Sequence, residues 1–320
     1  MKRLAALAAA VAVLGHQGCY RPKLVAGADP PRRLAGLAGR TWPRVAGMRL
    51  HVFNTGTNRV SPLLVGTPAP WRPAPAFVIE HPNRGLVVFD CGLGAEIARL
   101  GERALNPVAR FLIKTRSLPG WDLPEQMEKA GLSPDRVQVV ILSHLHFDHV
   151  GGCDAFRSAR FVVGRGEREH GRSRMNGFEP DHVDWIPQGA WQVIDFDGAK
   201  PYATFDRTVD LFGDGSIVLV AGGGHTVGGL GALVHLPGGP VLLAGDLVVH
   251  FDWLRSNDVQ RIAVDPERAA AVRNRVRRLL ELAPEVIVFP GHDLPRIPPG
   301  RSDIIVHEPR AFRPLFWPVD

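Results

Sequence analysis

The ten residues from Ser143 to Gly152 constrain this chain more than any other segment. They contain three histidines and one aspartate in the order His-x-His-x-Asp-His, at His144, His146, Asp148 and His149. The apolar run at 137–142 before them is typical of a buried strand, and two glycines end the segment. Imidazole nitrogen and carboxylate oxygen are ligands that zinc takes readily. This density of ligand-type residues at a strand end predicts a metal site.

The spacing within the motif predicts two metal ions. Alternate residues of an extended segment point to the same side, so His144 and His146 can converge on one ion. Asp148 and His149 follow after the chain has turned and can reach a second ion. Two-metal hydrolytic sites hold their ions about 3.5–4 Å apart, and two adjacent pairs of ligands suit that spacing.

Three later segments repeat the pattern of an apolar run, a glycine and a ligand-type residue. They place His225 after the run at 217–221, Asp246 after 241–243, and His292 after 286–289. Glycine lets the backbone turn sharply and approach an ion closely. Each segment alone is more typical of a simple turn, but their succession after the first motif indicates additional ligands of the same centre.

The complete set resembles the ligand pattern of the metallo-β-lactamase-fold hydrolases, in its residue types, order and spacing. Asp90, in the run Val-Val-Phe-Asp-Cys-Gly, resembles the Asp-Thr-Gly strand end of that family, with cysteine in place of threonine. The resemblance covers roughly residues 48–295. It implies an α/β fold, an αββα sandwich of two mixed β-sheets flanked by helices. The ligands that it implies are His144, His146, Asp148, His149, His225, Asp246 and His292.

Within this family the chain looks most like the N-acyl-homoserine-lactone lactonases. The motif segment, the Gly-His-Thr-x-Gly-Gly run at 224–229, and the long segment between Asp90 and the motif carry this resemblance. One position departs from it, because Val249 stands where these lactonases often have a tyrosine that contacts the substrate carbonyl. Either His250 replaces that tyrosine as the donor, or the substrate differs; a packing role for His250 is the alternative.

The resemblance also implies a role for each residue. His144, His146 and His225 hold one ion, Asp148, His149 and His292 hold the other, and Asp246 bridges them. Asp90 binds neither ion directly and orients one of the ligands. A hydroxide bridging two divalent ions, zinc being the expected metal, then opens a lactone or ester bond, and Asp148 carries the proton to the leaving oxygen. Manganese, iron and cobalt remain open, because His/Asp sites accept several metals.

Other activities fit the same ligands. A thioesterase of the glyoxalase II kind, a phosphotriesterase and an aryl esterase are alternatives, whereas a true β-lactamase would lack a bridging aspartate such as Asp246. An oxygen-reducing di-iron protein would carry glutamate where His146 stands. A nucleic-acid-processing nuclease is the alternative from a different class, and it would require an additional clamp domain or a long RNA-binding arm.

The charge of the chain does not favour nucleic acid as a partner. The formal net charge is +6, but the basic residues are scattered. Their densest run, at 268–278, alternates with apolar residues at helical spacing. This predicts an amphipathic helix over 266–283 with a solvated basic face, capped by Asp265 and begun by Pro266.

The first residues predict export. Lys2 and Arg3 precede an apolar stretch from Leu4 to Leu14, as in a signal peptide over residues 1–19. Cys19 stands where a lipoprotein signal places its lipidated cysteine, which predicts a periplasmic or lipid-anchored protein; a cytoplasmic location is the alternative. Residues 20–47 are expected to form a linker or surface arm, and 48–320 the catalytic domain. The chain has three cysteines, a number and spacing that do not predict a disulfide framework.

Two further segments carry expectations about structure. The five prolines of 61–75 predict an irregular segment, followed by strands at 76–80 and 86–90. Residues 96–121 are amphipathic. They are interpreted either as helices packed on the sheet or as a lid that offers an apolar slot to an acyl chain.

Overall fold

The computed structural model describes residues 33–37, 41–61, 70–173, 177–257 and 262–307. The predicted signal peptide and Cys19 lie outside the described residues, as does most of the segment between them and residue 40. Within the described ranges, no helix has the length and apolar character needed to cross a bilayer.

The strands form two mixed sheets. The first has the order β14-β1-β2-β3-β5-β6-β7, with β4 paired to β1. Its strands are β1 (Arg49–Val60), β2 (Arg72–His81), β3 (Gly85–Phe89), β4 (Ile113–Arg116), β5 (Val137–Ile141), β6 (Arg160–Gly164), β7 (Trp191–Ile194) and β14 (Ile304–His307). The second has the order β13-β12-β11-β10-β9-β8. Its strands are β8 (Lys200–Tyr202), β9 (Phe205–Asp210), β10 (Ile217–Ala221), β11 (Leu230–Leu236), β12 (Gly239–Gly245) and β13 (Ile287–Pro290).

The described helices lie outside the sheets or in the loops between strands. They are α1 (Ala95–Leu100), α2 (Pro107–Leu112), α3 (Leu123–Lys129), α4 (Phe147–Val150), α5 (Glu167–His170), α6 (Phe251–Arg255) and α7 (Pro266–Leu282). Short 3₁₀ turns occur at Gly101–Ala104, Pro134–Arg136, Cys153–Ala155, Pro180–His182, Gln188–Ala190 and Asp246–Val248.

The main core lies between the two sheets. Phe77 and Phe89 of the first sheet meet Phe289 of the second, with the Phe77 and Phe289 ring centroids 5.3 Å apart. On the outer faces, Met127 of α3 packs on the first sheet and Val276 of α7 packs on the second. The predicted αββα sandwich is therefore confirmed.

Helix α7 follows its sequence signals at its start. The Asp265 carboxylate accepts a hydrogen bond of 3.0 Å from the Arg268 backbone N–H, and Pro266 occupies the first helical position. The prediction that the basic face is solvated was wrong at Arg273, which is only 1% exposed. Its guanidinium lies 5.0 Å from the centroid of the Trp253 ring, where a cation–π contact favours its burial.

The proline-rich segment becomes regular earlier than predicted. Strand β2 begins at Arg72 and includes Pro73 and Pro75. These residues pair with β1 only, because the pairing of β2 with β3 extends no further than Phe77. A proline lacks the N–H that a second neighbour would need, so it is tolerated where a strand has one neighbour.

Residues 95–116 lie against the metal motif. Ile97, Leu105 and Ala109 pack around Phe147, which sits between the motif histidines. The segment contains two short helices and also β4, a strand that the amphipathic pattern did not predict. Leu100 and Phe111 are each 46% exposed. The segment is therefore next to the site, and its use as a lid stays a prediction.

Candidate metal centre

Each ligand segment leaves the end of a strand, and the two sheets bring these ends together. Strand β5 is followed by the motif at 144–149, and β10, β12 and β13 are followed by His225, Asp246 and His292. A backbone hydrogen bond of 2.9 Å from Leu230 N–H to the Ser143 carbonyl joins the two sheets at this edge. The seven residues predicted from the sequence converge there in two groups.

The first group contains His144, His146, His225 and Asp246, whose candidate ligand atoms lie within 4.8 Å of one another. His146 Nδ1 is 2.8 Å from His144 Nε2 and 3.1 Å from His225 Nε2. Asp246 Oδ2 is 3.1 Å from His225 Nε2. Three imidazole nitrogens and one carboxylate oxygen therefore surround a common point.

The second group contains Asp148, His149 and His292. Asp148 Oδ2 is 3.5 Å from His292 Nε2, and Asp148 Oδ1 is 4.0 Å from His149 Nε2. Asp246 Oδ1 faces this group, at 3.6 Å from His149 Nε2 and 3.5 Å from His292 Nε2. The two oxygens of Asp246 thus face different groups, as a bridging carboxylate requires.

The donor atoms fit two divalent cations. His149 Nε2 and Asp246 Oδ1 are buried and have no hydrogen-bond partner among the described residues. Leaving such polar atoms unsatisfied costs about 1–3 kcal/mol each, and more when they are charged. The imidazoles of the second group lie 3.5 to 4.0 Å from the carboxylate oxygens of Asp148 and Asp246. These distances are long for hydrogen bonds but suit ligands on a shared ion.

The pKa values of the histidines in the two groups also favour metal binding. Burial and neighbouring imidazoles hold the pKa values of His144 and His146 well below the usual range, which keeps both rings in the neutral form that binds metal. Burial opposes charge on His149, but the Asp90, Asp148 and Asp246 carboxylates outweigh it and raise the pKa of His149 to about 10. Without a metal ion the His149 ring would therefore carry a proton on Nε2 at neutral pH, and a bound cation would take the place of that proton.

Asp90 holds His149 from behind. Its carboxylate accepts hydrogen bonds from His149 Nδ1 at 2.8 Å, from the Ser143 backbone N–H at 2.7 Å and from the Ser143 hydroxyl at 2.7 Å. Because Nδ1 donates its proton to Asp90, Nε2 is the nitrogen of His149 that faces the second group and can bind a metal ion there. Asp90 has a φ of 56°, a conformation that is uncommon for residues other than glycine but that aspartate adopts more often than most.

Two residues that act on the ligands were missed by the sequence analysis. Asn58 of β1 donates from Nδ2 to Asp148 Oδ2 at 2.5 Å. Glu167 of α5 is fully buried, and it accepts from the Leu145 N–H at 3.0 Å and from the Gly228 N–H at 2.8 Å. It thereby joins the motif loop to the His225 loop. A polar residue in a strand and a glutamate in a charged run carry no local signal of such roles.

His250 lies beside the centre and belongs to neither group of ligands. Its ring is partly exposed, and burial together with the Arg72 guanidinium lowers the pKa of His250 to about 4. Arg72 pairs with Asp252 at 2.9 Å and with Asp293 at 3.2 Å, and Asp293 accepts the Phe251 N–H at 2.9 Å. These contacts fix the backbone that follows His250, so a neutral imidazole is held at the edge of the centre.

Strand β2, which carries Arg72, also orients His292, the last ligand along the chain. His292 Nδ1 donates to the Pro73 carbonyl oxygen at 2.9 Å, which leaves Nε2 of His292 for the second group. Arg72 is the register partner of Asn58 across β1 and β2. The paired ends of these two strands therefore act on Asp148, His292 and the backbone after His250.

The fold and this centre define a metal-dependent hydrolase with room for two ions. Comparison with known proteins agrees: residues 69–292 match the metallo-beta-lactamase superfamily, and the chain belongs to that superfamily. It is 30% identical over 230 residues to the N-acyl homoserine lactonase AttM of Azorhizobium caulinodans, an alignment that covers 69% of this chain and 82% of that protein.

Solved structures share the fold. One is of a mutant of AiiA from B. thuringiensis with N-decanoyl-L-homoserine bound at the active site. It matches this chain with a TM-score of 0.64 at 21% identity, over 77% of this chain and 93% of that chain. Another is AidC, described as a dizinc quorum-quenching lactonase, with a TM-score of 0.53 at 16% identity, covering 79% of this chain and 90% of its own.

Proposed function

We propose that this hydrolase opens the lactone ring of N-acyl-homoserine lactones, using two zinc ions. The observation that carries the proposal is the convergence of seven ligand-type side chains in two groups that share the two oxygens of Asp246. The similarity to the lactonase AttM over most of both chains supports the choice of substrate. Zinc is supported by the histidine-rich donor set and by the dizinc neighbour AidC.

His144, His146 and His225 would hold one ion, Asp148, His149 and His292 the other, and Asp246 both. Divalent cations in these positions supply Lewis acidity and lower the pKa of bound water. The chain itself fixes the geometry. Asp90 and the Pro73 carbonyl set the tautomers of His149 and His292, and this directs the Nε2 atoms of both rings into the second group.

Proton transfer to the leaving oxygen falls to Asp148. Its carboxylate belongs to the second group of ligands, and its Oδ2 is held by Asn58 at 2.5 Å. This leaves Oδ1 as the atom that can exchange a proton with the alcohol released from the ring. The neutral His250, at the edge of the centre, is proposed to donate a hydrogen bond to the substrate carbonyl.

A substrate panel tests the proposal. The protein is stripped of metal, reloaded with zinc, manganese, iron or cobalt, and offered acyl-homoserine lactones of several chain lengths, thioesters, phosphotriesters, aryl esters and cephalosporins. Lactone opening is measured through the proton that it releases. We expect the highest kcat/KM on the lactones and with zinc. A higher value on a thioester or phosphotriester would replace lactones as the substrate class. RNA is offered as a further substrate, and its cleavage would assign a nuclease in place of a lactone or ester hydrolase.

We also propose export, on the basis of Lys2, Arg3 and the apolar stretch from Leu4 to Leu14, with Cys19 as the lipidated residue. Cell fractionation tests export, and incorporation of labelled fatty acid into wild type and Cys19→Ala tests the anchor. Label that persists in Cys19→Ala would contradict lipidation at Cys19.

A further inference from the structure

Two cysteines that the mechanism does not use meet behind the metal centre. Cys153 Sγ lies 3.3 Å from Cys91 Sγ, and both residues are free thiols with no exposed surface. They are 62 positions apart in the chain, so only the tertiary structure pairs them. A disulfide bond is about 2.05 Å long, and these sulfur atoms need to approach by little more than about 1 Å to form one.

The backbone around the two thiols is already tightly joined. The Cys91 N–H donates to the His149 carbonyl at 2.7 Å, and the Gly151 N–H donates to the Gly92 carbonyl at 2.9 Å. A Cβ atom at Gly152 would lie 2.9 Å from the Cys91 carbonyl oxygen. The turn after Asp90 and the turn that carries Asp148 and His149 are therefore in direct contact, at the place where the thiols face each other.

We propose that Cys91 and Cys153 form a disulfide bond that ties the Asp90 turn to the ligand turn and slows the loss of metal. Cys91 is the neighbour of Asp90, which holds His149 Nδ1 at 2.8 Å. Cys153 begins the 3₁₀ turn at Cys153–Ala155, soon after the motif. A covalent bond between them would keep the Asp90 carboxylate against His149 when the surrounding structure opens.

The reaction requires an oxidant, and a second disulfide, borne by a small molecule or by a protein, supplies it. The thiolate of one cysteine attacks a sulfur of that disulfide and releases one thiol. The other cysteine then attacks the mixed disulfide, forms the Cys91–Cys153 bond and releases the second thiol. The protein loses two hydrogen atoms, and the oxidant gains them.

The environment of the pair determines when this happens. Both cysteines belong to a buried apolar cluster that also contains Leu123, Met127 and Phe156. Both thiols are fully buried, so a second disulfide cannot reach them in the folded protein. The bond therefore forms while the chain folds or opens locally, and once formed it is shielded from reductants.

Peptide mapping tests the bond. The full chain is refolded with zinc in glutathione buffers of increasing oxidised fraction, denatured in an alkylating reagent and digested. We expect a peptide that joins Cys91 to Cys153, is lighter by two hydrogens than the reduced pair and disappears on reduction. The Cys19→Ser variant should give the same linked peptide. Alkylation of both cysteines at every oxidised fraction, or glutathione adducts alone, would overturn the proposal.

Metal release tests the consequence. Zinc-loaded protein in its oxidised and reduced forms is mixed with a chelating dye. The oxidised form should release zinc about tenfold more slowly, a change typical of altered support around a ligand. Cys91→Ser and Cys153→Ser should release zinc at one rate under both conditions. If a serine variant does not fold, the two forms of the wild type still decide. Equal rates of zinc release from those two forms would refute the proposal that the disulfide bond slows the loss of metal.

Discussion

Asn58 and Asp148 are 90 positions apart in the chain, yet Asn58 Nδ2 donates a hydrogen bond of 2.5 Å to Asp148 Oδ2. Replacing Asn58 by leucine removes this donor and leaves a buried carboxylate oxygen with one partner fewer. We expect Asn58→Leu to lower metal affinity and kcat about tenfold each, as for other residues that support a ligand. Chelator competition and steady-state kinetics measure the two effects.

The neighbouring Arg59→Leu is the matched control. Arg59 is exposed and its guanidinium lies over the Trp71 ring, so its loss should leave metal affinity unchanged. Equal values for Asn58→Leu and wild type would show that Asp148 does not depend on this hydrogen bond.

His146 belongs to the first group, and its Nδ1 lies within 3.1 Å of two other ligand nitrogens. His146→Ala should lose metal and lower activity at least about 100-fold, because the first ion loses a ligand and the acid–base balance of the centre changes with it. Metal content by elemental analysis and lactone turnover measure this. His170→Asn is the control, since His170 is a nearby half-buried histidine in neither group. Full activity of His146→Ala without bound metal would refute a metal-dependent reaction.

Glu167 joins two ligand loops through the N–H groups of Leu145 and Gly228. Glu167→Ala leaves both donors buried and unpaired, so we expect a loss of about 2–4 kcal/mol in the free energy of unfolding. Denaturant titration measures the loss, and metal content should fall in parallel. Glu169→Ala, two positions on and exposed, should change neither quantity. A Glu167→Ala protein as stable as wild type would show that water satisfies both N–H groups.

His307 lies at the end of β14, and burial together with the His51 imidazole lowers its pKa from 6.5 to about 4. The unfolded chain therefore binds more protons than the folded one between these values, and stability falls as pH decreases from about 6.5 towards 4. Because the ring is only half-buried, we expect a contribution on the order of 1 kcal/mol. Unfolding of wild type and His307→Gln at pH 7 and pH 4.5 measures it; an equal loss in both would contradict the assignment.

His250 stands one position after the site usual for a catalytic tyrosine, and Arg72 pairs with two carboxylates next to it. His250→Ala should lower kcat by about 10-fold to 100-fold if the ring donates to the substrate carbonyl, while bound metal stays at the wild-type level. Asp252→Asn, which keeps the exposed position but removes the charge, is the comparison variant. An unchanged kcat in His250→Ala would assign the ring to packing.

The sequence by itself predicted the ligand-type residues of the centre, and the family resemblance that those residues carry implied the sandwich. The motif at 144–149 and the strand ends before His225, Asp246 and His292 are local patterns: an apolar run, a glycine and a ligand-type side chain lie within about ten residues. Helix α7 was predicted for the same reason, since its cap, its first proline and its apolar stripe are all local. Such patterns do not depend on which strands become neighbours.

Only the tertiary structure decided which distant residues support the centre. The register of β1 and β2 sets Asn58 beside Arg72, the contact of the two turns brings Cys91 to Cys153, and Glu167 is buried because two loops close over it. The prolines of β2 and the burial of Arg273 were likewise decided by neighbours far away in the chain. A side chain's surroundings follow from the pairing of strands and the packing of layers, and neither is written in the few residues on either side of it.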